Sequence, residues 1–194
     1  MKKYSFGTVD HIRTDLPTFI ERIDKKWISY GEDNLYPDFI TTLYSRSAVH
    51  RTCIQAKLDG VIGQGLEFAN ETDNYLLKRA NPNESWNDIF EKITLDYLLY
   101  GGFAINIIWS KDGKTISEFY HLDFSKVRSG HIDPETDTVN TYYYSSDWSS
   151  LRKFKPQSYP ALDSSMSKEE PSQIYYYFNY SPGAQYYPLP EYSG

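Results

Sequence analysis

With 194 residues, 40% of them hydrophobic, the chain can bury one sizeable core and is not disordered throughout. Twenty-six carboxylates against 20 lysines and arginines leave a net charge of −6, which argues against a protein that holds nucleic acid by neutralising phosphates, because counterion release needs clustered cations. No stretch approaches the roughly 20 apolar residues of a membrane span, Met1-Lys2-Lys3 is followed by no apolar run of signal-peptide length, and a single cysteine, Cys53, excludes an internal disulfide and a thiolate-rich metal site and fits a reducing, cytosolic compartment.

Residues 1–30 read as an N-terminal arm, in which Leu16 to Arg22, opened by Asp15 and Pro17, has the pattern of a short helix. Arg22, Lys25 and Lys26, like Arg152, Lys153 and Lys155 later, form short basic runs of the kind common on solvated faces. Asn34-Leu35-Tyr36-Pro37 starts a helix, since proline in the first turn lacks only an N–H that would be unpaired anyway. Phe39, Ile40, Leu43 and Tyr44, then Val49, Cys53, Ala56 and Leu58, keep helical spacing to Ile62, with a break expected near Ser45 to Ser47. Among these apolar neighbours Cys53 is expected to be a small core residue. Gly63-Gln64-Gly65 follows a helix rather than a strand, so it reads as a helix stop and not as a nucleotide loop. Asn70-Glu71-Thr72-Asp73 caps a short helix to about Arg79, which Asn81-Pro82 ends.

Residues 81–128 form one unit of loop, helix, hairpin and strand. Trp86, Ile89, Phe90, Ile93, Tyr97 and Tyr100 fall on one helical stripe and leave Asn87, Glu91, Lys92 and Asp96 to the other faces. Ser85 with Asp88 caps its start, and Gly101-Gly102 supplies the left-handed residue that ends it. From Phe103 the period changes to two, through Ile105, Ile107 and Trp109. Asp112-Gly113 then sits where a two-residue hairpin needs positive φ, and Thr115 to His121 returns. Pro82, Gly101, Gly102, Asp112 and Gly113 are the structural turns.

Beyond it, Val127 to Ile132 and Val139 to Ser145 flank the polar turn Asp133 to Asp137 and predict a second hairpin. His121-Leu122-Asp123 and His131-Ile132-Asp133 repeat a His-x-Asp pattern that could present metal ligands on a strand face. Each pair lies where a strand gives way to a turn, so solvated strand ends are the expectation and no metal or cofactor is assigned. Residues 146–172, rich in Ser and Pro, read as a long loop. Residues 173–194 read as a strand, with Ile174, Tyr176, Phe178 and Tyr180 opposite Tyr175, Tyr177 and Asn179, followed by an extended Pro/Tyr-rich tail. The fold class is α+β: helices from about Pro37 to Tyr100, then antiparallel hairpins from Phe103 to Tyr180, with residues 31–145 as the helical and hairpin core.

The succession Asn81-Pro82-Asn83, an aromatic-led helix, Leu98-Leu99-Tyr100-Gly101-Gly102-Phe103-Ala104, Lys111-Asp112-Gly113-Lys114, Ile116 to Leu122 and Phe124-Ser125-Lys126-Val127-Arg128 resembles the core segment of tailed-bacteriophage portal proteins. Upstream, Trp27 to Pro37, a helix with Ser45, Ser47 and His50, and Gly63-Gln64-Gly65 are similar to the front of one portal subgroup, so the resemblance covers about residues 27–128 and extends in weaker form to Tyr192. It implies a wing-like fold and a structural role in a virion, assembled in the bacterial host cytoplasm. The partners implied are copies of the chain in a ring at the capsid vertex, with capsid and packaging-motor proteins, and DNA that passes through unbound. Family members continue into stem, clip and crown, so a chain stopping at Gly194 is expected to be the front part of one.

Nineteen tyrosines are the main compositional anomaly. Strand packing and interface use are both open readings, because the ring gives a large amphipathic area at little entropic cost. Aromatic crowding before a helix makes Trp27, Tyr30 and Tyr36 the candidate subunit contacts. No nucleophile elbow, His-Glu-x-x-His or phosphate loop is present, and His11, His50, His121 and His131 have no evident nucleophile partner. An enzyme is therefore not expected. The alternatives are a stand-alone aromatic binding module for a carbohydrate or protein ligand and, behind it, a hydrolase using Asp123 or Asp133.

Overall fold

The computed structural model describes residues 19–22, 24–67 and 79–192. It is α+β, with helices followed by antiparallel strands. The described chain opens on a strand pair, β1 (Phe19–Ile20) with β2 (Ser29–Tyr30). The helix expected over Leu16 to Arg22 is therefore replaced by a strand at Phe19–Ile20, and residues 16–18 lie outside the described residues. Phe19 packs edge-on against Tyr186 with centroids 5.1 Å apart, a distant contact that overrides local helix signals.

Helix α1 (Tyr36–Arg46) carries Pro37 in its first turn. Ser47 leaves the helical region, and its hydroxyl accepts from the His50 N–H at 3.2 Å, which starts α2 (Ala48–Ile62) where the break was expected. Along α2 only Ile54 and Leu58, one turn apart, are buried. Cys53 stands about 100° round the axis from Ile54 and is exposed, so it is not a core residue. Gly63 and Gly65, both at positive φ, stop the helix, and Gly65 N–H donates to Ile62 O at 2.7 Å. The helix expected from Asn70 to about Arg79 falls mostly in 68–78, outside the described residues.

Helix α3 (Trp86–Tyr100) has the full capping box, Ser85 Oγ accepting from Asp88 N–H while the Asp88 carboxylate accepts from Ser85 N–H at 2.7 Å. Gly101 at φ +84 ends it and turns the chain into β3 (Gly102–Trp109). The loop before α3 is tied to the sheet: Asn81 donates its amide to Phe119 O at 2.9 Å, with Pro82 at the exposed tip.

Strand β3 pairs with β4 (Ile116–Leu122), but the connection is longer than a two-residue turn. Ser110 N–H donates to Thr115 O at 2.9 Å and closes the loop 111–114, in which Gly113 takes positive φ and Asp112 does not. Asp112 instead accepts from Ser110 Oγ and Lys114 N–H, an Asx-type closure that local polar chemistry favours over the mirror-image turn. A 3₁₀ turn (Phe124–Lys126) leads into β5 (Val127–Ser129), and the second hairpin is formed by β6 (Ile132–Asp133) with β7 (Thr138–Val139) and by β5 with β8 (Thr141–Tyr144). The segment 146–172 is not all loop: β9 (Gln157–Pro160) pairs with β8, and a 3₁₀ turn lies at Ser164–Met166. Gln157, Ser158 and Tyr159 carry no polar/apolar alternation, so it is pairing with β8 that makes this segment a strand.

Strand β10 (Ser172–Phe178) completes a three-stranded sheet of order β10-β3-β4, beside a second of order β5-β8-β9. Its alternation is as expected up to Phe178, with Ile174 fully buried and Tyr175 and Tyr177 each 40% exposed, but Tyr180, expected on the Ile174 face, lies past the end of the strand and is 87% exposed. The Pro/Tyr tail is not extended into solvent. Tyr187 stacks on Tyr30 at 4.0 Å between centroids and donates to Ile28 O at 2.5 Å, and Tyr192 donates to Leu99 O at 2.7 Å. One cluster thus joins the first strands, α1, α2, α3, β3, the 3₁₀ corner and the tail, including Ile28, Ile40, Ile54, Leu99, Phe124 and Ile174.

Candidate assembly surface

Two buried polar centres hold the frame on which any surface of this protein is displayed. Arg128 on β5 is fully buried, and no carboxylate among the described residues bonds it. Its guanidinium donates to Asn34 Oδ1 at 2.7 Å and to the carbonyls of Asn34, Ser125 and Val127, each at 2.8 Å. Trp148 and Tyr30 cover it, with ring centroids 4.9 and 5.9 Å from Cζ. Burial lowers its pKa, and carbonyl dipoles replace the hydration it gave up. Asn34 reaches it by adopting φ +69, a region that Asn tolerates, and also accepts from Tyr30 N–H at 3.0 Å.

The second centre corrects the reading of α3. Helical spacing leaves Asp96 off the apolar stripe, yet it is buried, accepting from Phe124 N–H at 3.0 Å and lying 2.8 Å from His121 Nε2 on β4. Burial raises the Asp96 pKa and His121 opposes that shift. His121 is accordingly not at a solvated strand end. Asp123 and Asp133 are turn carboxylates, accepting from Ser125 N–H and Glu135 N–H, while the exposed His131 bonds to Lys25 O. Among the described residues no group of three or more His, Cys, Asp or Glu side chains gathers to hold a metal.

The candidate contact residues are placed differently from one another. Tyr30 is 1% exposed and donates to Pro188 O at 2.7 Å, so its aromatic surface is used inside the protomer. Trp27 is half-buried between Trp148 and Tyr143. Tyr36 is half-buried at the start of α1, between Tyr30 and Phe39.

The apolar surface that the fold leaves open lies elsewhere. On α1, Pro37 and Ile40 face the core, while Phe39 (57% exposed) and Leu43 (41%), one turn apart, face out. Sequence spacing groups Phe39, Ile40 and Leu43 together, because apolar positions on neighbouring faces satisfy one helical period. An apolar groove of about 220 Å³ runs between α2, α3 and β3, lined by Val61, Phe90, Ile93, Thr94, Tyr97, Leu98 and Phe103. Tyr177 flanks it, 5.3 Å from Phe103 and 6.4 Å from Tyr97 between ring centroids.

No protein-family model and no curated protein matches the chain. Solved structures do. A chain in the neck of an empty gene transfer agent particle with C6 symmetry superposes at TM-score 0.57 and 14% identity, over 80% of this chain and 40% of that one. A chain of the native gene transfer agent virion gives TM-score 0.57 and 14% identity over 80% and 39%. A chain in the native neck with C12 symmetry gives 0.53 and 13% over 79% and 39%. The chain spans about two fifths of the length of those chains, and the likeness is one of fold.

Proposed function

We propose that this chain is a structural component of a phage-like particle, a part of the portal ring at its neck through which DNA is packaged and ejected. The observation that carries this reading is the shared fold over 80% of the chain with a neck chain of the gene transfer agent particle. The order of motifs from Asn81 to Arg128 supports the portal assignment within that class. Copies of the same chain are the first partners, and capsid and packaging-motor proteins are the neighbours of such a ring.

The exposed side of α1 supports self-association. Phe39 and Leu43 with Tyr36 make an apolar helical edge of the kind that gains from being covered. Trp27 and Tyr30 then serve the contact by fixing the segment in front of α1. Mass photometry and electron-microscopy class averages of the full chain at its highest soluble concentration test the reading. Closed rings with cyclic averages are expected, and a strictly monomeric or open-ended population would overturn it.

A further inference from the structure

The two short basic runs, more than a hundred residues apart in sequence, lie on two loops that a contact between Trp27 and Trp148 brings together. Arg22, Lys25 and Lys26 lie on the β1–β2 connection, and Arg152, Lys153 and Lys155 on the β8–β9 connection. Trp27, next after Lys26, forms a bridge with Gly130 of the segment leaving β5 and places its ring 5.3 Å from that of Trp148, which opens the second loop. Trp148 is itself anchored by donating to Lys126 O at 2.9 Å, and Ser145 Oγ donates to Phe154 O at 3.0 Å, which folds the second loop back beside it.

Five of the six cations are exposed and Lys25 is half-buried, and none pairs with a carboxylate among the described residues. Asp24 and Asp147 are the acids within the two loops, and Glu21 is engaged by the Tyr186 hydroxyl. Asp147 is engaged too, its carboxylate accepting from Ser149 N–H and Oγ. On a chain of net charge −6, the two loops carry six cations against Glu21, Asp24 and Asp147, with the acidic turn Asp133 to Asp137 joined to Lys25 through His131.

We infer that this patch binds the phosphate backbone of double-stranded DNA without reading its sequence. The cations are long, exposed side chains on two loops braced by a common pair of rings, which suits phosphates spaced along a rod. The aromatic groups point away from single-stranded substrates. Trp148 is 4% exposed and Trp27 is half-buried against Trp148 and Tyr143, which leaves no row of open rings for successive bases to stack on. The inference stands on charge placement and does not rest on the portal reading.

The test is fluorescence anisotropy of a labelled duplex titrated with the full chain across a salt series. Binding is expected at low salt, with log affinity falling against log salt by roughly 0.9 per phosphate engaged. Reversal of either loop, Arg22→Glu/Lys25→Glu/Lys26→Glu or Arg152→Glu/Lys153→Glu/Lys155→Glu, is expected to weaken binding by about tenfold or more and to flatten the salt slope. Lys111→Glu/Lys114→Glu, on the β3–β4 loop, is the control and leaves affinity within about twofold. Circular dichroism melts check the fold, and neutral Lys→Gln versions of each loop repeat the measurement should a reversal unfold. No binding at low salt, or equal loss in the control, overturns the inference. Equal affinity for polyglutamate at matched charge, or tighter binding of the single strand, overturns the assignment to duplex DNA.

Discussion

Arg128 is the residue on which the fold most depends, because four acceptors from two distant parts of the chain, Asn34 and the segment 125–127, converge on one buried guanidinium. Arg128→Met takes a donor from each of those acceptors, Asn34 Oδ1 alone keeping the Tyr30 N–H, and urea unfolding is expected to show a loss of about 3 kcal/mol. Asn34 separates the two components of this centre. Asn34→Gly keeps the positive φ and removes only the acceptor, whereas Asn34→Ala adds a backbone cost of about 1 kcal/mol, so alanine should be the more damaging variant. Asp96 gives a pH signature. A carboxyl raised on folding contributes stability that is complete below the ordinary carboxylate pKa and is withdrawn as the pH climbs through the raised value. Glu84, lowered chiefly by Lys92, runs the other way and loses its contribution as the pH falls. Asp96→Asn removes the first effect alone, so the Tm of this variant relative to the native chain should rise between acid and neutral pH. A pH-independent difference would refute the argument from ionisation.

At the scale of elements, α3 is defined at both ends by side-chain and backbone chemistry that the sequence displayed openly. Ser85→Ala removes the cap and should cost about 1 kcal/mol in urea unfolding. Gly101→Ala should cost more, about 1–3 kcal/mol, since a Cβ there meets Leu189 O at 2.8 Å at a φ that alanine resists. These termini were legible because capping is local, as were Pro37, the Ser47 break and the alternation of β10. What could not be read was decided by partners far along the chain. Phe19–Ile20 is a strand because Ser29–Tyr30 and Tyr186 meet it, and Asp96 is inside because His121 and Phe124 N–H wait there. Phe39 and Leu43 carry the same helical signal as Ile40, and only packing shows which side is covered. The meeting of the two basic loops was likewise invisible, since no spacing links residues 26 and 152 until Trp27 finds Trp148.

For the whole molecule, the exposed edge of α1 and the internal frame make separable predictions. Phe39→Ser/Leu43→Ser alters side chains that are 57% and 41% exposed and belong to no buried core position, so Tm should change little while ring formation on mass photometry is lost. Tyr187→Ala should do the reverse in order of severity, lowering Tm first, because its ring and hydroxyl join the tail to Tyr30, Ile28 and Ser129. That closure has a mechanical meaning. Tyr186 and Tyr187 lie against Phe19 and Tyr30, so the two ends of the described chain are stapled together rather than set at opposite poles. A load pulling on both ends is therefore borne first by two ring contacts and a few hydroxyl bonds, while the β10-β3-β4 sheet stays slack behind them. Strain arriving through neighbouring segments would peel the tail and the first strand pair before it reached the core, which makes this staple the fuse of the molecule.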